Sequence, residues 1–176
     1  MGNIKGMKIA ILLANLFDER EFWYPYYRLQ EAGAEVVVVA DAADKGYKSK
    51  SGMEEMSDKS YDSVKAKDYD GVVIPGGFAP DYMRRSKACL KFVREMFKQD
   101  KLVAFICHAG WVPVSCGILQ GRRATSVAAI KDDMTNAGCV WQDKPVVEDG
   151  NLVSSRGPDD LPEFMHGVLS YLKSRK

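Results

Sequence analysis

The sequence predicts a single α/β domain with a mostly parallel sheet covered by helices on both faces. Three observations carry this. Several strand segments are uniformly apolar rather than alternating, which is the pattern of strands buried on both sides. Helical patterns lie between those strands, as parallel pairing requires. The chain has 176 residues, which suits one domain with a sizeable core.

The first strand is "MKIAILLA" at 7–14, running directly from the start of the chain. "EFWYPYYRLQEAG" follows as a helix ending at Gly33. Pro25 inside it would remove the bond to the carbonyl of residue 21, so this helix either kinks at Pro25 or starts there. "AEVVVVA" (34–40) is a second, strongly β-branched strand, and "DGVVIPGG" (70–77) a third that enters a glycine turn. Between them, 44–67 is polar and reads as a surface excursion with a short helix. "SKACLKFVREMFKQDK" (86–101) is an amphipathic helix with Cys89, Val93, Met96 and Phe97 on one face. "LVAFIC" (102–107) is the fourth strand, followed by a helix through about Cys116. A short helix near 130–137, a "VVEDGNLVSS" hairpin turning at Asp149–Gly150, and a last helix from about Asp159 to Lys173 complete the chain. Residues 1–6 read as an N-terminal tail and 7–176 as one domain, with no repeat or linker.

Composition excludes several classes. The net charge of +1 and pI near 7.6 give no general attraction to nucleic acid or to an anionic membrane. No apolar run reaches the ~18 residues of a membrane span, and no small-residue cleavage site follows the start. The four cysteines, at 89, 107, 116 and 139, form no CxxC pair, and two histidines give no zinc-finger spacing. Free thiols in a reducing cytoplasm, and no metal or cofactor, are therefore expected.

In open parallel sheets the functional crevice lies beyond the carboxyl ends of the strands. Cys107 stands there, at a strand-to-helix junction. Cysteine is usually a small core residue, and Cys89, Cys116 and Cys139 are read that way. At Cys107 the free N–H groups and partial charge of a following helix would lower the thiol pKa, so a nucleophile elbow stands beside the core reading. His108 follows directly, but neighbouring side chains on such a turn diverge, so it need not touch the sulfur. His166, off the apolar face of the last helix, is read as exposed. The double glycine Gly76–Gly77 in "PGGFAPD" is either an ordinary turn or a source of oxyanion N–H donors. In "DERE" (18–21), Asp18 as N-cap and Glu21 three residues on form a capping box, which is the preferred reading of those residues alone.

Taken together, "ANLFDEREFWYPYYRLQEAGAEV", "YDGVVIPGGFAPDYMR", "VAFICHAGW", "GILQGRRATSVAAIKDDMTNAGCVWQD" and "VVEDGNLVSSRGPDDLPEFM" resemble the ThiJ/PfpI family, in its intracellular-protease-like branch. The resemblance runs from about Met7 to Lys173. It implies a flavodoxin-like three-layer α/β/α sandwich with a nucleophile elbow, similar to class I glutamine amidotransferases. It places the family's nucleophile on Cys107, its histidine on His108, and on Glu21 the acid that hydrogen-bonds the thiol. The oxyanion donors fall on the N–H groups of Gly77 and His108. The carboxylate that a neighbouring subunit supplies in oligomeric members falls on Asp81, which implies a homo-oligomer, a dimer or a hexamer. Three positions depart from the family pattern: "CHAG" with Trp111 close by, Asp18 where glutamate is common, and Val127 where a tyrosine lines the pocket. Those walls, with Gly76, bear on the substrate.

The downstream HxE pair that glutaminases need is missing, so that activity is rejected. Three readings follow from the resemblance. The preferred one is a cofactor-independent thiol enzyme acting on reactive carbonyls, as a glyoxalase or deglycase. The alternative is a cysteine peptidase using Cys107, His108 and Asp81 of a neighbouring subunit. The non-enzyme alternative is a redox-sensing stress chaperone. The expected partners are accordingly a small carbonyl compound, a glycated substrate or a peptide, with no nucleic acid and no membrane.

Overall fold

A computed structural model describes residues 4–175 of the chain. Its centre is a seven-stranded sheet made of β1 (Lys8–Leu12), β2 (Glu35–Ala40), β5 (Lys59–Ser60), β6 (Gly71–Ile74), β7 (Leu102–Ile106), β10 (Val146–Asp149) and β11 (Leu152–Ser155). Two short pairs lie outside it: β3 (Gly46–Lys48) with β4 (Glu54–Met56), and β8 (Arg123–Ala124) with β9 (Val140–Trp141). The sheet order is β10-β11-β7-β6-β1-β2-β5, and every pairing is parallel except β10 with β11. The mostly parallel α/β architecture expected from the sequence is therefore the one observed.

The uniform apolarity of the central strands has a direct cause. β6 and β7 are buried at every position, because helices cover both faces. α1 (Glu19–Glu31) and α6 (Leu161–Ser174) pack together on one face. α2 (Ala79–Arg85), α3 (Lys87–Lys98) and α4 (Trp111–Cys116) pack on the other. α5 (Lys131–Asn136) supports α4 and β9. Cys89, Cys116 and Cys139 are all buried, in the core places assigned to them. Of the expected tail at 1–6, residues 1–3 lie outside the described residues, while Ile4 is fully buried and donates its N–H to the carbonyl of Ala32 at 3.0 Å.

Several local expectations need correction. α1 does not begin at Pro25 but at Glu19, with Asp18 as its cap, and carries Pro25 as its seventh residue. Capping and the packing of Phe22 and Leu29 outweigh the one bond that Pro25 cannot make to the carbonyl of Glu21. The short helix expected in the 44–67 excursion is a 3₁₀ turn, and strands that were not expected accompany it. The excursion holds the β3–β4 hairpin, the edge strand β5 and a single 3₁₀ turn at Ala66–Asp68, and buries Tyr47, Ser49, Ser57 and Tyr61. The helix expected at 86–101 ends at Lys98, and α2 before it was not anticipated. Ser86 separates the two and caps α3 by accepting the N–H of Cys89 at 3.2 Å.

Candidate active site

β7 ends at Ile106, and Cys107 opens a short 3₁₀ turn, Cys107–Gly110, that leads into α4. The backbone of Cys107 is left-handed, with φ of 61°. A non-glycine residue held there carries strain of order 1 kcal/mol, and it turns the side chain out of the strand toward the sheet's carboxyl edge. The thiol is half-buried. The position that the sequence left open between core and nucleophile is thus a strained elbow.

Three segments converge on this sulfur. The first is the start of α1. Asp18 is buried, and its carboxylate accepts the N–H groups of Arg20 at 3.1 Å and Glu21 at 3.4 Å. Glu21 does not complete a capping box, because the N–H of Asp18 goes to the carbonyl of Gly76. The Glu21 carboxyl instead turns inward, is fully buried, and accepts the N–H of Gly76 at 2.8 Å through Oε2. It also interacts with the Cys107 thiol. Burial, followed by the negative charge of Asp18, pushes the Glu21 carboxyl up to about 7, against the opposing pull of the Gly76 N–H and the thiol.

The second segment is the glycine pair after β6. A Cβ on Gly76 would stand 2.6 Å from Glu21 Oε2 and 2.8 Å from Cys107 Cβ, so only glycine lets acid and thiol meet there. Gly77 has φ of 75°, and a Cβ on it would stand 2.5 Å from the carbonyl oxygen of Leu16. This close approach brings the N–H of Gly77 to the sulfur, and the N–H of His108 reaches it from the elbow itself. These are the two donors expected for an oxyanion.

The third segment is the β3–β4 hairpin, which the sequence reading missed as a contributor. Lys50 at its turn places Nζ 3.0 Å from Asp18 Oδ2. Burial raises the pKa of Asp18, but the hydrogen bonds from Lys50 and Arg20 outweigh it and keep the carboxyl below its ordinary value. The Lys50 charge is also felt by Glu21, Cys107 and His108. Asp18 is thereby a cap and a lysine anchor rather than an open pocket wall. Nothing in the polar string "DKGYKSKSG" distinguishes Lys50 from Lys45 or Lys48, because its role depends on the hairpin folding back over α1.

Contact between His108 and the sulfur, left open by the sequence, is present: Nδ1 lies 3.3 Å from Cys107 Sγ. The imidazole sits between Phe78, stacked at 6.3 Å between ring centroids, and Trp111 at 5.2 Å. Burial and the Lys50 charge hold the His108 pKa below its ordinary value. Phe78 is 56 % exposed at the mouth and was readable in "PGGFAPD", where it follows the glycines directly. Trp111 is fixed by Asp133, whose carboxylate accepts its indole N–H at 2.7 Å. Val127 donates its N–H toward the carbonyl of Cys107 at 3.5 Å and is half-buried. Asp81 stands apart within the chain: it is exposed on α2 and paired with Arg85 at 2.6 Å, not with His108.

The thiol itself departs from expectation. Burial and the nearby Glu21 charge push the Cys107 thiol up to about 12, although the N–H groups of His108 and Gly77 pull it down. A buried sulfur beside an ionised carboxylate cannot readily become a second anion. The two groups therefore share one negative charge, and a proton kept on Glu21 turns a repulsive neighbour into a hydrogen-bond donor to the thiolate. Among the described residues, no group of three or more His, Cys, Asp or Glu side chains is arranged to hold a metal ion, and no helix is long and apolar enough to cross a membrane.

This constellation can be placed among known proteins. The family model described as the DJ-1/PfpI family matches residues 7–171. The protein named deglycase PfpI from Pyrococcus furiosus is 43 % identical over 168 residues, which is 95 % of this chain and all of that one. The protein named protein/nucleic acid deglycase 2 from Escherichia coli is 38 % identical over 94 % of this chain and 97 % of its own. A solved two-domain protein from Anabaena variabilis, with DJ-1/ThiJ/PfpI-like and ferritin-like domains, superimposes with a TM-score of 0.93 at 42 % identity, covering 94 % of this chain and 48 % of that one. The strained Cys107 elbow, the inward Glu21 and the family match along nearly the whole chain agree, and the chain belongs to the DJ-1/PfpI family.

Proposed function

We propose that this chain is a cysteine-dependent, cofactor-independent enzyme acting on reactive carbonyls, as a glyoxalase or deglycase. The observation that carries this reading is the pairing of a half-buried thiol with a fully buried carboxyl, which burial pushes up to about 7. Such an acid holds or yields a proton at neutral pH, which is what addition to a carbonyl requires. The names of the deglycase relatives support the same chemistry.

The steps balance without an added oxidant. With methylglyoxal, the Cys107 sulfur bonds to the aldehyde carbon while Glu21 delivers a proton to the carbonyl oxygen, giving a hemithioacetal. The N–H groups of Gly77 and His108 stabilise the negative charge that develops on that oxygen. Glu21, now a carboxylate, removes the proton from the former aldehyde carbon, and a proton returns at the neighbouring ketone carbon. The first carbon is thereby oxidised to a thioester and the second reduced to a carbinol. Water then attacks the thioester, releases lactate and restores the thiol. On a glycated amine or thiol, the Cys107 sulfur displaces the amine or thiol at the hydroxyl-bearing adduct carbon while Glu21 protonates the leaving group, and the resulting hemithioacetal proceeds to lactate by the same steps.

A side-by-side assay tests this. Wild type forms lactate from methylglyoxal under metal-free conditions, and Cys107→Ala does not. Retained lactate formation in Cys107→Ala overturns the proposal.

A second reading, a cysteine peptidase, is favoured by the 3.3 Å contact between Cys107 Sγ and His108 Nδ1. It further requires Asp81 of a second copy to orient the imidazole, because Asp81 of the same chain is engaged with Arg85. Turnover of fluorogenic peptides by wild type, abolished in Asp81→Ala, would establish it. Inactivity of the freshly reduced oligomer across a peptide panel counts against it.

A further inference from the structure

Away from the thiol, a cleft of about 570 Å³ runs along the outer side of α3, against the segment that joins β5 to β6. None of its lining residues takes part in the Cys107 site. Lys65 and Lys67 stand on one wall and Lys87 and Lys91 on the other. All four are exposed, and none forms an ion pair among the described residues. Two carboxylates share the lining, and one of them, Glu95, is already held by Lys98 at 3.2 Å. The chain's net charge of +1 thus conceals a local cationic groove.

The groove is not uniformly polar. Val64 and Ala88 present half-buried apolar surface, and buried Phe92 closes the floor with its ring edge-on to Tyr69 at 5.5 Å. α3 also begins here. Ser86 satisfies the N–H of Cys89, while the N–H groups of Lys87 and Ala88 precede the helix's own bonding and add a partial positive charge at the head of the groove. The lining contains no arginine. Lysine binds phosphate oxygens as a point charge and lacks the planar fork by which arginine grips a carboxylate or a phosphate at two points, so these cations act on a run of phosphates through their summed charge.

We infer that this cleft binds a nucleoside polyphosphate, with its phosphates between the two lysine walls and the start of α3 and its base on the Val64–Ala88 surface. The inference is independent of what Cys107 does. Unpaired cations on facing walls, an apolar patch between them and a volume within the range of small-ligand sites together define this ligand class.

Calorimetric titration of the full chain at low salt tests it, with ADP, inorganic pyrophosphate and adenosine as probes. ADP binds one to one and saturably, pyrophosphate binds more weakly than ADP, and adenosine shows no heat of binding. Lys87→Gln/Lys91→Gln, two exposed changes, weakens ADP by about tenfold or more and makes its binding less sensitive to added salt. Lys173→Gln, on α6, leaves both unchanged. Absence of ADP binding, equal binding by the double variant, or pyrophosphate binding as tightly as ADP each overturns the inference.

Discussion

Replacing Glu21 by glutamine isolates what a buried acid costs the fold. The carboxyl is fully buried and ionises near 7 instead of 4.5, chiefly because burial penalises its charge. Unfolding returns it to water and to its ordinary value. The fold therefore favours the protonated form, and the stability tied to that proton is present below pH 4.5 and is lost as the pH rises through 7. The interval corresponds to roughly 3 kcal/mol, at about 1.4 kcal/mol per pH unit. Glutamine cannot ionise, yet its amide oxygen can still accept the Gly76 N–H that Glu21 accepts at 2.8 Å. Denaturant unfolding of both proteins between about pH 4 and pH 8.5 reads the difference directly. Relative to wild type, Glu21→Gln should gain roughly 3 kcal/mol across that range, with an unchanged denaturant slope. A stability difference that stays flat with pH would refute the reasoning, because Glu21 would then ionise alike in both states. Activity should move the other way: loss of the proton donor lowers methylglyoxal turnover by roughly 10²- to 10⁴-fold.

Other substitutions probe the same corner separately. Gly76→Ala would press a methyl group between the Glu21 carboxyl and Cys107 Cβ, so it should cost about 1–3 kcal/mol in denaturant unfolding and change the rate of thiol titration by a disulfide reagent. Lys50→Met removes a cation that disfavours imidazolium, so the His108 titration followed by NMR should move upward toward 6.5. Asp81→Ala removes only an exposed pair with Arg85 and should change stability by less than about 0.5 kcal/mol. A large loss of peptide turnover in that variant would then reflect a second copy rather than a weakened fold.

What the sequence made legible follows from where information is local. Runs such as "AEVVVVA" and "LVAFIC" declare buried parallel strands because every side chain must be apolar when both faces are covered. The Cys107 elbow is legible for the same reason, since the buried run stops where the thiol begins. Lys50 is not, because its importance arises from β3 and β4 pairing across only three registered positions, too few to show a period. The preference for a capping box at Glu21 was locally sound: Asp18 does cap α1, and only the distant Gly76 N–H reveals that the second half of the box faces inward. The thiol's upward shift was equally out of reach, because an argument from the helix terminus omits the carboxylate that folding brings alongside.

The bonding that ties Leu16–Asp18 to Gly76–Phe78 has a kinetic consequence. The carbonyl of Leu16 accepts the N–H of Phe78 at 2.9 Å, and the N–H of Asp18 reaches the carbonyl of Gly76 at 3.3 Å. The strap that carries the acid and the strap that carries the oxyanion donor are thus stitched together before any substrate arrives. Those backbone bonds hold both straps in place without help from a substrate. Modification of Cys107 by a small alkylating reagent should follow one exponential, with a rate that rises in proportion to reagent concentration and never levels off at an opening rate of the protein.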